Sequence, residues 1–250
     1  MENPISISYK TITYGRVNLL EEAIESFLRQ EYEGESEMLI VNDYEKQTLY
    51  FDHPKIRIIN LKETFKTIGQ KENFTVENCK YNTIAIADDD DIFLPNHSDN
   101  INKYFPGYDL LHWQNSVAMV SKEIKAIHSI GNAGIVYTKE IWEKVGKHDH
   151  YNAGYDSRFI SKIHAAGGKV AKASPENKDV SYFYNWGVSY HMSGLGSDQG
   201  RPEQDQVVER HKRHIEHLRL QGKIPTGDIG LLPHWNYNYE KMLKDYIAKK

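Results

Sequence analysis

The sequence has few of the features that mark secreted or membrane-spanning proteins. Cys79 is its single cysteine, so no disulfide can form within the chain, and we expect a reducing compartment. No apolar stretch approaches the ~20 residues that a membrane-spanning helix needs. The N-terminus also lacks the basic and apolar regions of a secretory signal. We therefore expect a soluble, cytoplasmic protein without a transmembrane segment.

The sequence also lacks a dominant charge of one sign. The net charge is −4 and the isoelectric point is about 6.3, which gives no general attraction to nucleic acid or to an anionic membrane. Of the 250 residues, 39% are hydrophobic and 26% are charged. This balance is typical of a globular protein with one sizeable core.

Strands alternate with helices in the first hundred residues. A β-rich segment at 5–15 is followed by a helical pattern at 18–30, for which Asn18 is the expected N-cap and Glu21 its capping-box partner. Such alternation predicts βαβ units in a mostly parallel sheet. The further strands are predicted at 37–43, 55–61 and 82–87, and a second helix at 69–80.

The second half is less regular. It contains one predicted strand at 109–121, another at 179–186, a polar loop at 194–206, and helices at 138–146, 155–168, 203–222 and 237–250. We predict an α/β fold with a central sheet flanked by helices in residues 1–195. Residues 196–250 would form a loop and a C-terminal helical extension.

Three polar clusters follow predicted strands. They lie at 13–16, 42–43 and 88–91. Because ligands of parallel α/β sheets bind beyond the carboxyl ends of the strands, we expect these clusters to meet in one crevice.

The last cluster is a run of four aspartates at 88–91, flanked on both sides by apolar residues. Carboxylates at a strand end suit Mg²⁺ or Mn²⁺, which keep waters and fill their coordination shell with substrate phosphate oxygens. Such an ion would neutralise the charge of a diphosphate leaving group. The alternatives are a solvated acidic turn and a Ca²⁺ site that only stabilises the fold.

Several motifs in series resemble the family 2-type glycosyltransferases of the GT-A fold. A strand ends in "TYGR" at 13–16, the helical segment "LEEAIESFLRQ" follows, and the next strand ends in "VNDYE" at 41–45. A "G-x-x-R-N"-like segment at 69–73 precedes "ADDDDIFLP" at 87–95, which is similar to the family's "LDxDDxxxP". The order of these motifs is more specific than any one of them.

The resemblance covers about residues 4–195 and implies roles for individual residues. In this family the nucleotide-sugar half would be 1–105 and the acceptor half 106–195. Asp156, in a "G-Y-D" triplet at the start of a helix, would be the general base. Asp90 and His191 would bind Mn²⁺ or Mg²⁺. The implied nucleotide-sugar contacts are Thr11, Tyr14, Arg16, Asp43, Lys71, Asp88 and Asp89, and the implied acceptor contacts are Trp113, Gln114, Tyr155 and Trp186.

The implied reaction is transfer of a sugar from a nucleotide-diphosphate donor, most simply a UDP-sugar, to an acceptor hydroxyl with inversion. The acceptor stays open among a glycan, a lipid, a protein and a hydroxymethylated DNA base. A nucleotidyltransferase, and a nucleotide-sugar or Ca²⁺-binding module without activity, are the alternatives.

His211, His214 and His217 recur at helical spacing near the C-terminus. They could form a site for a metal, a phosphate or a lipid headgroup, or they could lie on a solvated face of the helix.

Overall fold

The computed structural model describes residues 3–152, 154–186 and 204–249, and the side chains of all these residues except 186 and 204–208. The helices are α1 (Val17–Leu28), α2 (Ile68–Asn78), α3 (His97–Tyr104), α4 (Lys139–Lys144), α5 (Tyr155–Ala165), α6 (Gln204–Leu220) and α7 (Tyr239–Ala248). The strands are β1 (Ile7–Thr13), β2 (Ser36–Asn42), β3 (Gln47–Tyr50), β4 (Ile56–Asn60), β5 (Thr83–Ile86), β6 (Ile92–Phe93), β7 (Leu110–Trp113), β8 (Ser116–Val120), β9 (Glu123–His128), β10 (Val136–Thr138), β11 (Val170–Ala173), β12 (Tyr182–Trp186) and β13 (Gly227–Gly230).

The central sheet has seven strands in the order β11-β7-β10-β5-β1-β2-β4. β10 is antiparallel to both of its neighbours, and the other pairs are parallel. Successive residues of β2 face opposite sides, so that Met38 packs with α1 in one core cluster and Leu39 packs with α2, α4 and α5 in another. Helices thus cover both faces, which confirms the predicted α/β class with a mostly parallel sheet.

The segment predicted as one strand at 109–121 is two strands in different sheets. β7 belongs to the central sheet, whereas β8 belongs to a four-stranded sheet of order β6-β12-β8-β9. The chain changes sheet at Gln114 and Asn115, where the Gln114 amide donates to the carbonyl of Ala173 and the Asn115 side chain donates to that of Pro175. These polar residues interrupt an otherwise apolar run, and the prediction of one continuous strand was wrong.

The helices differ in whether a side chain caps their N-terminus. Arg16, not Asn18, is the N-cap of α1, and its side chain makes no capping hydrogen bond. The expected capping box was therefore wrong there. α2 carries a complete capping box between Thr67 and Gln70, and the Thr138 side chain caps α4 by accepting the Ile141 amide.

The C-terminal helices pack against the rest of the fold. Ile215 and Leu218 of α6 join Tyr44 in a small apolar cluster, and Tyr239 and Leu243 of α7 join the core of the four-stranded sheet. The predicted boundary between residues 195 and 196 lies outside the described residues. In the described part of the chain, no helix combines the length and apolarity needed to cross a membrane.

Candidate active site

A cleft opens to solvent at the carboxyl ends of β1 and β2. The predicted polar clusters at 13–16 and 42–43 both reach it. Its lining residues are Ile12, Thr13, Tyr14, Arg16, Asp43, Thr64, Phe65, Thr67, Ile68, Lys71, Asn152, His211 and Lys212.

Asp43 and Lys71 form a buried ion pair in the wall of the cleft. The Lys71 ammonium also donates to the carbonyl of Thr13 at 2.6 Å, and Asp43 Oδ2 accepts the amide of Phe65 at 3.0 Å. The pair therefore connects the ends of β1 and β2 to α2. A carboxylate offers about four acceptor positions, so Asp43 keeps acceptor capacity toward a ligand.

Arg16 connects the cleft to the aspartate run. Its guanidinium forms a bidentate pair with Asp89 and donates to Asp90 Oδ2 at 3.1 Å. Burial opposes the charge of Arg16, but Asp89 and Asp90 raise its pKa above the usual range. The Asp89 side chain is 0% exposed and positions Arg16, and its implied contact with the nucleotide sugar stays a prediction.

The other aspartates have separate environments. Asp91 is buried, where it accepts hydrogen bonds from the Tyr182 hydroxyl and from the Asn185 amide at 3.0 Å. Burial raises the pKa of Asp88 to about 7; Lys10 opposes this shift, and the charges of Asp90 and other carboxylates add to it. Asp88 and Asp90 are thus the carboxylates of the run that keep capacity for a cation.

This donor set fits a divalent ion. Asp88, Asp89 and Asp90 bring three carboxyl groups to one loop, where Arg16 pairs with two of them. Mg²⁺ typically takes only one or two protein carboxylates, so two are enough when the substrate supplies phosphate oxygens. Among the described residues, no three His, Cys, Asp or Glu side chains form a ready-made metal site. The implied ligand His191 lies outside the described residues.

A buried ion pair between Lys10 and Glu72 lies beneath the aspartates. Glu72 Oε1 also accepts the Tyr155 hydroxyl at 3.3 Å. This contact connects the donor side of the site to the first residue of α5. Tyr155, implied as an acceptor contact, is therefore anchored to the interior through its hydroxyl.

Asp156 lies in the first turn of α5, behind Gly154, which has a left-handed φ of 67°. The Asn132 amide donates to Asp156 Oδ2 at 3.3 Å. Burial is the main reason that the pKa values of Tyr155 and Tyr184 are raised, and the charges of Asp88 and Asp156 both add to the shift. The two carboxylates therefore lie near enough to act on the same two tyrosines.

Two residues implied by the resemblance lie in the interior. Thr11 is 0% exposed and pairs with Ile40 within the sheet, because β1 continues to Thr13 and the cleft begins at Ile12. Trp113 is 2% exposed, and its indole donates to the Gly134 carbonyl at 2.7 Å. Both side chains are buried in this structure, and their implied contacts with a substrate stay predictions.

Gln114 and Trp186 are the other two implied acceptor contacts. Gln114 lies half-buried where the chain leaves β7. Trp186 is the last residue of β12, and its side chain lies outside the described residues.

Sequence reasoning did not assign α6 to the site. His211 is buried with its ring 5.5 Å from that of Tyr14, and Lys212 lines the cleft beside it. The signal was present in the sequence, because His211, Ile215 and Leu218 share one helix face at spacings of four and three. Thr64, Phe65 and Asn152 were also missed, since they lie in loops without a motif.

Known proteins resemble this chain in sequence. The family model described as glycosyl transferase family 2 matches residues 10–109. A curated relative from Bacillus subtilis strain 168, the uncharacterized glycosyltransferase YwdF, is 27% identical over 256 residues, which cover 91% of this chain and 89% of the relative.

Solved structures share the fold at low identity. S. aureus TarS 1–349 in complex with UDP-GlcNAc is 14% identical with a TM-score of 0.59, and the match covers 88% of this chain and 74% of that one. The mannosyltransferase PcManGT from Pyrobaculum calidifontis, in complex with GDP-Man and Mn²⁺, is 13% identical with a TM-score of 0.57, over 90% of this chain and 67% of that one. The family match, the curated relative and the fold together identify this protein as a glycosyltransferase with a GT-A fold, similar to family 2.

Proposed function

We propose that the protein transfers a sugar from a nucleoside-diphosphate donor, a UDP-sugar, to an acceptor hydroxyl with inversion at the anomeric carbon. The observation that carries the proposal is the position of Arg16, which lines the donor cleft and pairs with Asp89 and Asp90 of the aspartate run. The fold neighbours bound to UDP-GlcNAc and to GDP-Man support a donor of this class.

In the proposed complex the cleft holds the nucleotide. Asp43 accepts a hydrogen bond from the base, and Lys71 holds Asp43 in place. Tyr14 and Phe65 provide aromatic surface in the same cleft. Arg16 holds Asp90 toward the diphosphate. Asp88 and Asp90 would hold Mg²⁺ or Mn²⁺, which supplies positive charge to the leaving diphosphate when bound.

The proposed chemistry is a single displacement. Asp156 accepts the proton of the acceptor hydroxyl while the oxygen forms a bond to the anomeric carbon. The bond between that carbon and the diphosphate oxygen breaks, and its electron pair leaves with the nucleoside diphosphate. Asp156 lies in the first turn of α5, at the positive end of the helix dipole.

Nucleotide binding is the first test. Thermal-shift and titration measurements with UDP and GDP, each with and without Mn²⁺ or Mg²⁺, should show metal-assisted binding of UDP. Binding of GDP and not of UDP would change the assignment of the donor from a UDP-sugar to a GDP-sugar. Binding of neither nucleotide would overturn the proposed function.

Asp156→Asn is the second test. The release of nucleoside diphosphate from the donor should fall by at least about 100-fold, the usual contribution of a positioned base, while UDP binding is retained. Asp228→Asn, an equivalent change at an exposed position on β13, should release nucleotide like the wild type. Release by Asp156→Asn at the wild-type rate would remove Asp156 from the mechanism.

These assays would offer glycan, lipid-linked, protein and hydroxymethylated DNA acceptors in turn.

A further inference from the structure

The C-terminal helix α6 forms one wall of the donor cleft. His211 and Lys212 line it together with residues from the ends of β1 and β2. Ile215 packs against Tyr44, and Glu216 pairs with Lys46 at 2.8 Å. The cleft is therefore completed by residues about 100 positions beyond the segment that matches the family model.

The charges in the cleft are unequally compensated. Arg16 pairs with Asp89 and Asp90, and Lys71 pairs with Asp43 and the Thr13 carbonyl. The charge that these two cations bring to the cleft is therefore already balanced by buried carboxylates of the protein.

Lys212 is in a different position. Its ion pair is with Glu209 at 3.5 Å, between side chains that are 36% and 55% exposed. An ion pair of this kind contributes little, because solvent and salt screen it. Among the described residues that line the cleft, Lys212 is therefore the cation with the least compensated charge.

We propose that Lys212 binds the diphosphate of the nucleotide donor and of the nucleoside-diphosphate product. This inference rests on the proposed function. An ammonium is a mobile point charge with three donors, which suits phosphate oxygens whose positions change during the reaction. His211 positions it: the imidazole is buried against the Tyr14 ring and fixes the rotation of α6.

The test compares two neighbouring changes on one helix. Lys212→Gln and Arg213→Gln each remove one positive charge, but Arg213 is exposed and does not line the cleft. Calorimetric titrations would use the nucleotide that the wild type binds, UDP or GDP, and the matching nucleoside. Lys212→Gln should weaken the nucleotide about tenfold, equivalent to ~1.4 kcal/mol. Arg213→Gln should change its affinity less than about twofold, and nucleoside binding should be equal in all three proteins.

The outcomes separate the two proposals. A wild-type protein that binds neither UDP nor GDP would overturn the proposed function and this inference with it. Equal nucleotide affinity in Lys212→Gln and Arg213→Gln would overturn this inference alone. An equal loss of nucleoside and nucleotide binding in Lys212→Gln would contradict the assignment to the diphosphate. Unchanged thermal unfolding of both variants in the absence of ligand would establish that the comparison concerns binding.

Discussion

At the scale of single residues, the interior around the site is built from charge pairs. Lys10 and Glu72 are 0% and 1% exposed, and they contact each other beneath the aspartate run. A buried pair of this kind contributes little net stability compared with apolar residues of the same size, but loss of one partner leaves an uncompensated buried charge. The pair therefore makes each of its members hard to replace alone.

Lys10→Met is expected to lower the free energy of unfolding by about 3–5 kcal/mol, because Glu72 then keeps its charge without its cation. Lys10→Met/Glu72→Gln should recover a large part of this loss. Urea unfolding of the wild type and both variants measures the difference. A double variant less stable than Lys10→Met would show that the unpaired charge is not the cause.

His97 gives the protein a pH dependence in acid. Its imidazole is completely buried among the rings of Phe93, Trp113 and Tyr182, and burial lowers its pKa from 6.5 to about 3. Below pH 6.5 the unfolded chain binds a proton at His97 that the folded protein does not bind until about pH 3. The free energy of unfolding should therefore fall as the pH falls through this window.

The slope contributed by His97 reaches ~1.4 kcal/mol per pH unit. In His97→Asn, whose amide can replace Nδ1 as the partner of Ser181, this contribution should disappear and the acid limb should be shallower. Urea unfolding between about pH 4.5 and 7.5 would measure it. An identical slope in both proteins would assign the acid sensitivity to other groups.

The sequence was a good guide to residues that end a strand. Arg16, Asp43 and the aspartate run were found because each follows an apolar strand and matches a motif. Their partners were not found. The pairing of Lys10 with Glu72 joins residues 62 positions apart, and no local pattern specifies which buried charge meets which.

At the scale of elements, α2 depends on its first turn. Thr67 Oγ1 accepts the Gln70 amide at 3.1 Å, and Gln70 Oε1 accepts the Thr67 amide at 3.2 Å. This helix carries Lys71 and Glu72, so its start fixes two charged side chains of the site. Loss of the capping hydrogen bonds should make the positions of both side chains less well defined.

Thr67→Ala is expected to cost about 1 kcal/mol of stability through loss of the cap. Thr67→Ser keeps the hydroxyl and should stay within a few tenths of a kcal/mol of the wild type. Urea unfolding separates the two variants. Equal losses in both would point to packing of the threonine methyl group and not to the capping hydrogen bonds.

Helices were predicted more completely than strands. Their 3.6-residue period extends over 10 to 17 residues in α1, α2, α5, α6 and α7. β6 has two residues and β10 has three, which is too short for any periodicity. The division of 109–121 into β7 and β8 depends on contacts with β11 and β12, which lie far along the chain.

At the scale of the whole molecule, the C-terminal extension is part of the fold. Glu22 of α1 is 6% exposed and accepts hydrogen bonds from the backbone and side-chain amides of Asn236 and from the Tyr239 hydroxyl. The predicted class of fold was confirmed, but no local pattern indicates this attachment, because the contacts span more than 200 residues.

Glu22→Ala is expected to destabilise the protein by about 3 kcal/mol, since three donors lose a charged acceptor. The matched control is Glu25→Ala, one turn later on the same helix. Glu25 pairs with the 45% exposed Arg29, so this change should cost ~0.5 kcal/mol or less. Denaturant unfolding measures both, and equal losses would show that α7 is not held through Glu22.

Gly69 of α2 lies against the backbone of residues 149–151. Its amide donates to the Tyr151 carbonyl at 3.1 Å, and a Cβ added there would lie 1.9 Å from the carbonyl oxygen of Asp149. Every amino-acid substitution of this glycine adds a Cβ atom. A saturation library selected for folded protein should therefore be depleted of all substitutions at position 69, while the neighbouring Gln70 accepts several. Mutational tolerance, read by sequencing alone, would thus report how closely the backbone of α2 approaches residues 149–151.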